Sequence, residues 1–117
     1  MAKSLLILND APYGNERSYN ALRLAHALAR RDGEVVKVFL VGDAAACAKK
    51  GQHVPQGYYN LENMLHALAQ RQAEIGVCST CMDARGIIDN ELADGTNRST
   101  LDRFVDWTQW ADHVLVF

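Results

Sequence analysis

Two cysteines separated by two residues are the part of this sequence best suited to chemistry. Cys78 follows a short apolar run, and Cys81 lies three positions further on, after Ser79 and Thr80. A thiol at the start of a helix can have a lowered pKa, because the N-terminal end of a helix is electropositive, and the thiolate is the nucleophilic form of cysteine. The spacing therefore indicates cysteine sulfur chemistry.

Arg85 is the charged residue that we expect to assist the pair. If residues 79–85 form a helix, Arg85 lies one turn after Cys81 on the same face, where its cation would favour the thiolate. Asp83 would oppose this effect. Cys78, Cys81 and Arg85 are therefore the predicted catalytic residues. The alternative is that both cysteines are inert buried side chains, since free cysteine is among the most buried residue types.

The remaining patterns do not predict a metal or cofactor site. A tetrahedral zinc site needs more ligands than the pair supplies, and the chain offers only Cys47 and four histidines without a second paired spacing. Asp10 and Asp43 follow predicted strands, where acidic residues commonly belong to loops and caps. The loop around Gly14 lacks the Gly-x-Gly-x-x-Gly pattern of dinucleotide binding. We therefore predict no metal and no cofactor.

The elements that must position the pair predict a parallel α/β fold. Short runs rich in apolar or β-branched residues predict strands at 4–8, 35–41, 74–77 and 114–117. Apolar residues at helical spacing predict helices from 15 to 31, from 44 to 49, after Asn60 and from Ser99. Such alternation is typical of a three-layer, Rossmann- or flavodoxin-like domain, in which helices cover both faces of a parallel sheet. We expect one such domain over residues 1–117.

The last predicted helix begins at Ser99, which forms a Ser-x-x-Asp capping pattern with Asp102. The segment 87–95 before it gives no clear prediction. Trp107 and Trp110 fit core packing or a subunit interface better than a cofactor site. Helical spacing predicts an inner face made of Leu101, Phe104, Val105 and Thr108.

The predicted topology brings the strand tips together. In open parallel sheets, ligands bind outside the carboxyl ends of the strands. Asn9 and Asp10, Gly42 and Asp43, and Cys78 each follow a predicted strand. We therefore expect all of these residues to approach one edge of the sheet.

Composition excludes several classes of partner. The net charge is −2, and 22% of the residues are charged, with both signs interspersed rather than gathered in a basic stripe. We therefore expect neither a nucleic acid nor a membrane surface as a partner. The early apolar run at 5–8 is too short for a secretory signal, and three cysteines in a chain of this size suggest reduced thiols. A cytoplasmic location is the resulting expectation.

Several segments together resemble the DsrE/DsrF-like sulfur-relay family, most closely its YchN-like branch. The resemblance includes Asp94-Gly95 and runs nearly from end to end. It implies a parallel α/β domain that assembles into homo-trimers or hexamers and carries a persulfide sulfur between donor and acceptor proteins. The segments that carry it are 7–16, 38–44, 57–60, 78–87 and 107–117.

The resemblance also assigns roles to single residues. Cys78 matches the sulfur-carrying cysteine of the DsrE and TusD branches, and Arg85-Gly86 follows at the family's spacing. Cys81 departs from those branches and is typical of the YchN-like branch, where it could resolve the persulfide. Because each step is an exchange between thiolates, no cofactor is needed. Two alternatives remain open: a non-enzymatic oligomeric binding module, and a redox sensor that cycles a Cys78–Cys81 disulfide.

Overall fold

A five-stranded parallel sheet organises the protein, and its computed structural model describes residues 2–117. The strands lie in the order β4-β3-β2-β1-β5, and every neighbouring pair is parallel. The predicted α/β class with helices on both faces is therefore confirmed. Strands β1 to β5 span Lys3–Leu8, Val35–Leu40, Glu74–Cys78, Thr96–Ser99 and His113–Val116.

Within residues 2–117, four α-helices and two short 3-10 helices connect the strands. Asn60 is the predicted cap of the second α-helix, and its side chain accepts a hydrogen bond from the Asn63 N–H at 3.0 Å. None of the helices within the described range is both long and apolar enough to cross a membrane. Helices α1 to α4 span Arg17–Ala29, Leu61–Gln70, Ser79–Ala84 and Leu101–Trp110, and the 3-10 helices span Gly42–Ala48 and Asp89–Glu91.

The strands divide their side chains between two apolar layers, because successive residues of a strand point to opposite faces. Leu6 and Val38 belong to the larger layer, which α1 and α2 cover. Leu5 and Phe39 belong to the smaller layer with Trp107 of α4. The Phe39 ring contacts the Trp107 ring edge-on, with 5.7 Å between the centroids. The sheet is thus buried on both faces, as parallel sheets require.

The strand β4 was not predicted, and its presence moves the start of the last helix. Ser99, the predicted cap, is instead the last residue of β4 and pairs with Cys78 in the ladder. Thr100 is the actual N-cap, and its hydroxyl oxygen accepts a hydrogen bond from the Arg103 N–H at 3.1 Å. Ser99 lies one residue too early to be the cap, because the helix begins at Leu101.

The predicted inner face of α4 is confirmed at Phe104 and wrong at its other three positions. Leu101 is 75% exposed and Val105 is 47% exposed, and Thr108 is exposed as well. The face toward the sheet is set by two aromatic residues three positions apart, Phe104 and Trp107, which pack on the smaller apolar layer. Burying these large rings removes more apolar surface from water than burying Leu101 and Val105 would.

Candidate cysteine site

Cys78 lies where strand β3 becomes helix α3. It is the last residue of the strand and the N-cap of the helix, and its sulfur accepts a hydrogen bond from the Cys81 N–H at 3.4 Å. Its sulfur also lies 3.4 Å from Thr80 Oγ1. The side chain is half-buried. The predicted position of Cys78 at a strand tip is therefore what the structure shows.

The surroundings of Cys78 favour its thiolate. Partial burial is the largest single influence and acts to raise its pKa, but hydrogen bonds from Cys81 and Thr80 together outweigh it. The pKa of Cys78 is therefore lowered from its ordinary value. Since the thiolate is the reacting form of cysteine, Cys78 is the more nucleophilic member of the pair.

Cys81 lies on the side of the site next to Gly42. The Gly42 N–H donates a hydrogen bond to the Cys81 sulfur at 3.1 Å. Gly42 has a φ of +55°, a left-handed conformation that glycine adopts readily. Burial and the hydrogen bond to Cys78 raise the pKa of Cys81, and these effects exceed the lowering by Gly42 and Arg85. Cys81 therefore stays a thiol and can donate its proton toward the Cys78 sulfur.

The two cysteine side chains pack against different apolar layers at the end of the sheet. Cys78 packs against the smaller apolar layer that contains Phe39 and Trp107. Cys81 packs against the larger layer beneath α1 and α2. The helical turn of α3 thus links two thiols that belong to different layers of the protein.

Arg85 does not hydrogen-bond to either sulfur. Its guanidinium donates to the Cys81 carbonyl oxygen at 3.1 Å and to Asp43 Oδ1 at 2.7 Å. Its charge lowers the pKa of Cys81. Arg85 thus anchors the end of α3 to the 3-10 helix that follows β2, and its catalytic role stays a prediction.

Asp83, expected to oppose the thiolate, is paired with an arginine that sequence reasoning missed. Arg98 Nη1 lies 3.1 Å from Asp83 Oδ1 and 2.7 Å from the Ser79 hydroxyl oxygen. Its Nε also bonds to Asp89. No spacing along the chain connects Arg98 to the cysteines, because the contact depends on the pairing of β4 with β3.

Cys78 borders a mostly apolar cleft of about 220 Å³. Phe39, Leu101 and Phe104 supply its apolar surface, and none of the described residues that line it is charged. The cleft gives a small group access to the Cys78 sulfur from the smaller apolar layer. The remaining lining residues carry hydroxyl groups: Ser79, Thr80, Ser99 and Thr100.

The other sequence candidates do not join this site. Cys47 is fully buried, its thiol faces the Asp10 carbonyl oxygen at 3.7 Å, and burial raises its pKa to about 12. The Asp10 carboxylate pairs with Arg17 at 3.1 Å. Of the residues at the predicted strand tips, Gly42 and Asp43 contact α3 and its C-cap, through Cys81 and Arg85. Over residues 2–117, no group of three or more His, Cys, Asp or Glu side chains is placed to hold a metal ion.

Comparisons with known proteins identify relatives of this chain. Residues 2–117 match the model of the DsrE/DsrF-like family. Protein YchN of Escherichia coli (strain K12) is 39% identical over 118 aligned positions, covering 100% of both chains. An uncharacterized protein of Methanopyrus kandleri is 36% identical over 96% of this chain and 91% of its own.

Solved structures agree with these matches. The crystal structure of the ychN protein from E. coli superposes with a TM-score of 0.94 at 39% identity and covers 100% of both chains. A protein of unknown function from Methanobacterium thermoautotrophicum has a TM-score of 0.75 at 11% identity, covering 98% of this chain and 99% of its own. The second likeness is one of fold alone.

Proposed function

Because the chain belongs to the DsrE/DsrF-like family, we propose that it is a sulfur-relay protein that carries a persulfide on Cys78 and passes it to an acceptor thiol. The observation that carries this proposal is a single half-buried thiol with a lowered pKa beside an open cleft. A relay needs this combination, since its sulfur must be both ionised and reachable.

The transfer consists of two thiolate exchanges. In the first, the Cys78 thiolate attacks the outer sulfur of a donor persulfide, a new S–S bond forms, and the donor leaves as a thiolate. In the second, an acceptor thiolate attacks the outer sulfur of the Cys78 persulfide, and Cys78 leaves as a thiolate. No net oxidation or reduction occurs, so neither step consumes an oxidant or a reductant.

Cys81 determines what else can happen to the loaded sulfur. A Cys81 thiolate could attack the inner sulfur of the Cys78 persulfide, which would form a Cys78–Cys81 disulfide and release hydrosulfide. The raised pKa of Cys81 keeps it protonated and therefore slows this loss. Cys81 accordingly supports the Cys78 thiolate by hydrogen bonding, and resolves the persulfide only when it is ionised.

Intact-mass spectrometry after incubation with a low-molecular-weight alkyl persulfide tests the proposal. Wild type should gain the mass of one sulfur atom, and a thiol acceptor should remove it. Cys78→Ser should lose this gain, while Cys81→Ser and the buried control Cys47→Ser should retain it. Loading that persists in Cys78→Ser, or that no variant shows, would contradict the relay.

A redox sensor is the second candidate, and the hydrogen bond that joins the two thiols favours it. In this case an oxidant would convert the dithiol to a Cys78–Cys81 disulfide, which a reductant would reopen. Treating the protein with a mild thiol oxidant and mapping its peptides separates the two functions. A disulfide that forms readily, together with no persulfide loading, would favour the sensor.

We also propose that the chain forms a homo-oligomer. Large apolar side chains remain exposed on α4 and on the edge strand β5: Leu101, Val105, Val114 and Val116. Clustered exposed apolar side chains are common at interfaces between subunits. Light scattering during size-exclusion chromatography measures the mass directly, and a monomer at micromolar concentration would rule out a stable assembly.

A further inference from the structure

Helix α3 is too short to hold itself in place. It has six residues, whereas isolated helices shorter than about 12–15 residues are marginal in water. Its position must therefore come from contacts with other elements. Met82 is fully buried in the larger apolar layer and anchors one face. The two flanks of the helix are held by polar contacts instead.

One flank faces the 3-10 helix Gly42–Ala48, through Cys81 and Arg85. The other flank faces the edge strand β4, and all of its contacts described above converge on Arg98. The ladder places Arg98 directly opposite Val77, the residue before Cys78. A single side chain therefore joins the edge of the sheet to the helix that begins at the nucleophile.

The contacts of Arg98 span the whole of α3. Its Nη1 donates to the hydroxyl oxygen of Ser79, the first helical residue, and reaches Asp83 one turn later. Residues four positions apart lie on the same helix face, so one guanidinium can bond to both. The Arg98 side chain is 29% exposed, which makes its geometry better defined than that of a freely solvated arginine.

We propose that Arg98 is a positioning residue for Cys78, which fixes the start of α3 to strand β4 and neutralises Asp83. The inference rests on the proposed function in taking Cys78 as the reacting sulfur. Arg98 touches neither sulfur, so its influence passes through Ser79 and Asp83.

Charges around the pair explain why this neutralisation matters. Asp43 and Arg85 compensate each other on one flank. On the other flank Arg98 is paired with both Asp83 and Asp89, so removal of its charge leaves two carboxylates uncompensated. A nearby uncompensated negative charge disfavours the thiolate. The charged groups that belong to α3 or form the ion pairs at its flanks are Asp43, Asp83, Arg85, Asp89 and Arg98.

The test measures thiol ionisation and needs no sulfur transfer. The rate at which iodoacetamide modifies Cys78 is followed against pH, and fragment-ion mass spectrometry separates Cys78 from Cys81. Arg98→Gln should raise the pH midpoint and slow the reaction near pH 7 by roughly two- to threefold, as expected for the loss of one screened charge. Arg98→Lys should restore the midpoint, because it restores the cation.

A double variant distinguishes neutralisation from general damage. Asp83→Asn alone should react at least as fast as wild type, and combined with Arg98→Gln it should recover most of the lost rate. Arg103→Gln removes a cation from α4 and is the matched control for net charge, which should leave the midpoint unchanged. Thermal unfolding of each variant checks that it is folded.

Three results would overturn the proposal. The first is a folded Arg98→Gln whose pH midpoint for Cys78 alkylation is unchanged. The second is an equal shift of that midpoint in Arg103→Gln, and the third is an Asp83→Asn/Arg98→Gln double variant that is alkylated as slowly as Arg98→Gln. If Arg98→Gln does not fold, a reaction slower than wild type in Asp83→Asn also overturns it. Failure of persulfide loading with the expected midpoints would reject the relay and leave the role of Arg98 intact.

Discussion

Raising the pH should destabilise the protein through the buried thiol of Cys47. This side chain has no exposed surface, and burial raises its pKa from an ordinary 9.0 to about 12. The folded protein therefore holds the Cys47 proton more tightly than the unfolded chain does. The stability that this provides is fully present below about pH 9 and is lost as the pH rises from 9 toward 12.

The size of the loss follows from the two pKa values. In this interval the unfolded chain has released the proton while the folded protein retains it, so the free energy of unfolding falls by about 1.4 kcal/mol per pH unit. Because little has been lost at pH 8, moving from pH 8 to about pH 10.5 should cost about 2 kcal/mol through Cys47 alone.

Urea unfolding of wild type and Cys47→Ala at both pH values measures this loss. Lysines and tyrosines also titrate at high pH, but their contributions are common to both proteins and cancel in the comparison. Cys47→Ala lacks the titrating group, so wild type should lose about 2 kcal/mol more than the variant. Equal losses would refute the reasoning, since they would mean that the Cys47 thiolate is not excluded from the folded protein.

Two further substitutions test other parts of the structure. Cys81→Ala removes a hydrogen bond that lowers the pKa of Cys78, so alkylation of Cys78 at pH 7 should slow. Cys81→Ser keeps a donor, and its Cys78 should react faster than that of Cys81→Ala. Equal rates for the two variants would exclude a role of the Cys81 side chain in lowering the pKa of Cys78. Gly95→Ala would place a Cβ atom 2.4 Å from the Cβ of Ala69 at a φ of +89°, and should cost about 2–4 kcal/mol. Gly51→Ala has the same φ with nothing within 4 Å, so its urea midpoint should fall by much less, and a similar fall in both would discount the steric contact.

The placement of Cys78 could be predicted because its signals are local. The apolar run that ends at residue 77 forms β3, and turn-forming and helix-capping residues follow it directly. Strands β1 and β2 were predicted for the same reason, since each is a short apolar run closed by polar or glycine residues. The tip of a strand in a parallel sheet then defines the edge at which the thiols lie.

The partners of the site could not be predicted, because they depend on contacts between distant segments. The strand Thr96–Ser99 is short and polar, so it carries no apolar pattern, and it forms by pairing with β3. If this strand is not predicted, the position of Arg98 cannot be predicted either. The bond of Arg98 to Asp83 and the start of α4 at Leu101 are then out of reach as well. The complete burial of Cys47 could not be predicted either, because it depends on how distant segments pack around this side chain.

The packing of the two thiols against different layers makes the two sides of the cysteine site unequal. The cleft reaches Cys78 from the side of Phe39 and Phe104, whereas Cys81 belongs to the side covered by α1 and α2. The two cysteines nevertheless meet at the end of the sheet, where a hydrogen bond joins them. A partner seated at the cleft would meet Cys78 first, because Cys81 is not among the residues that line it.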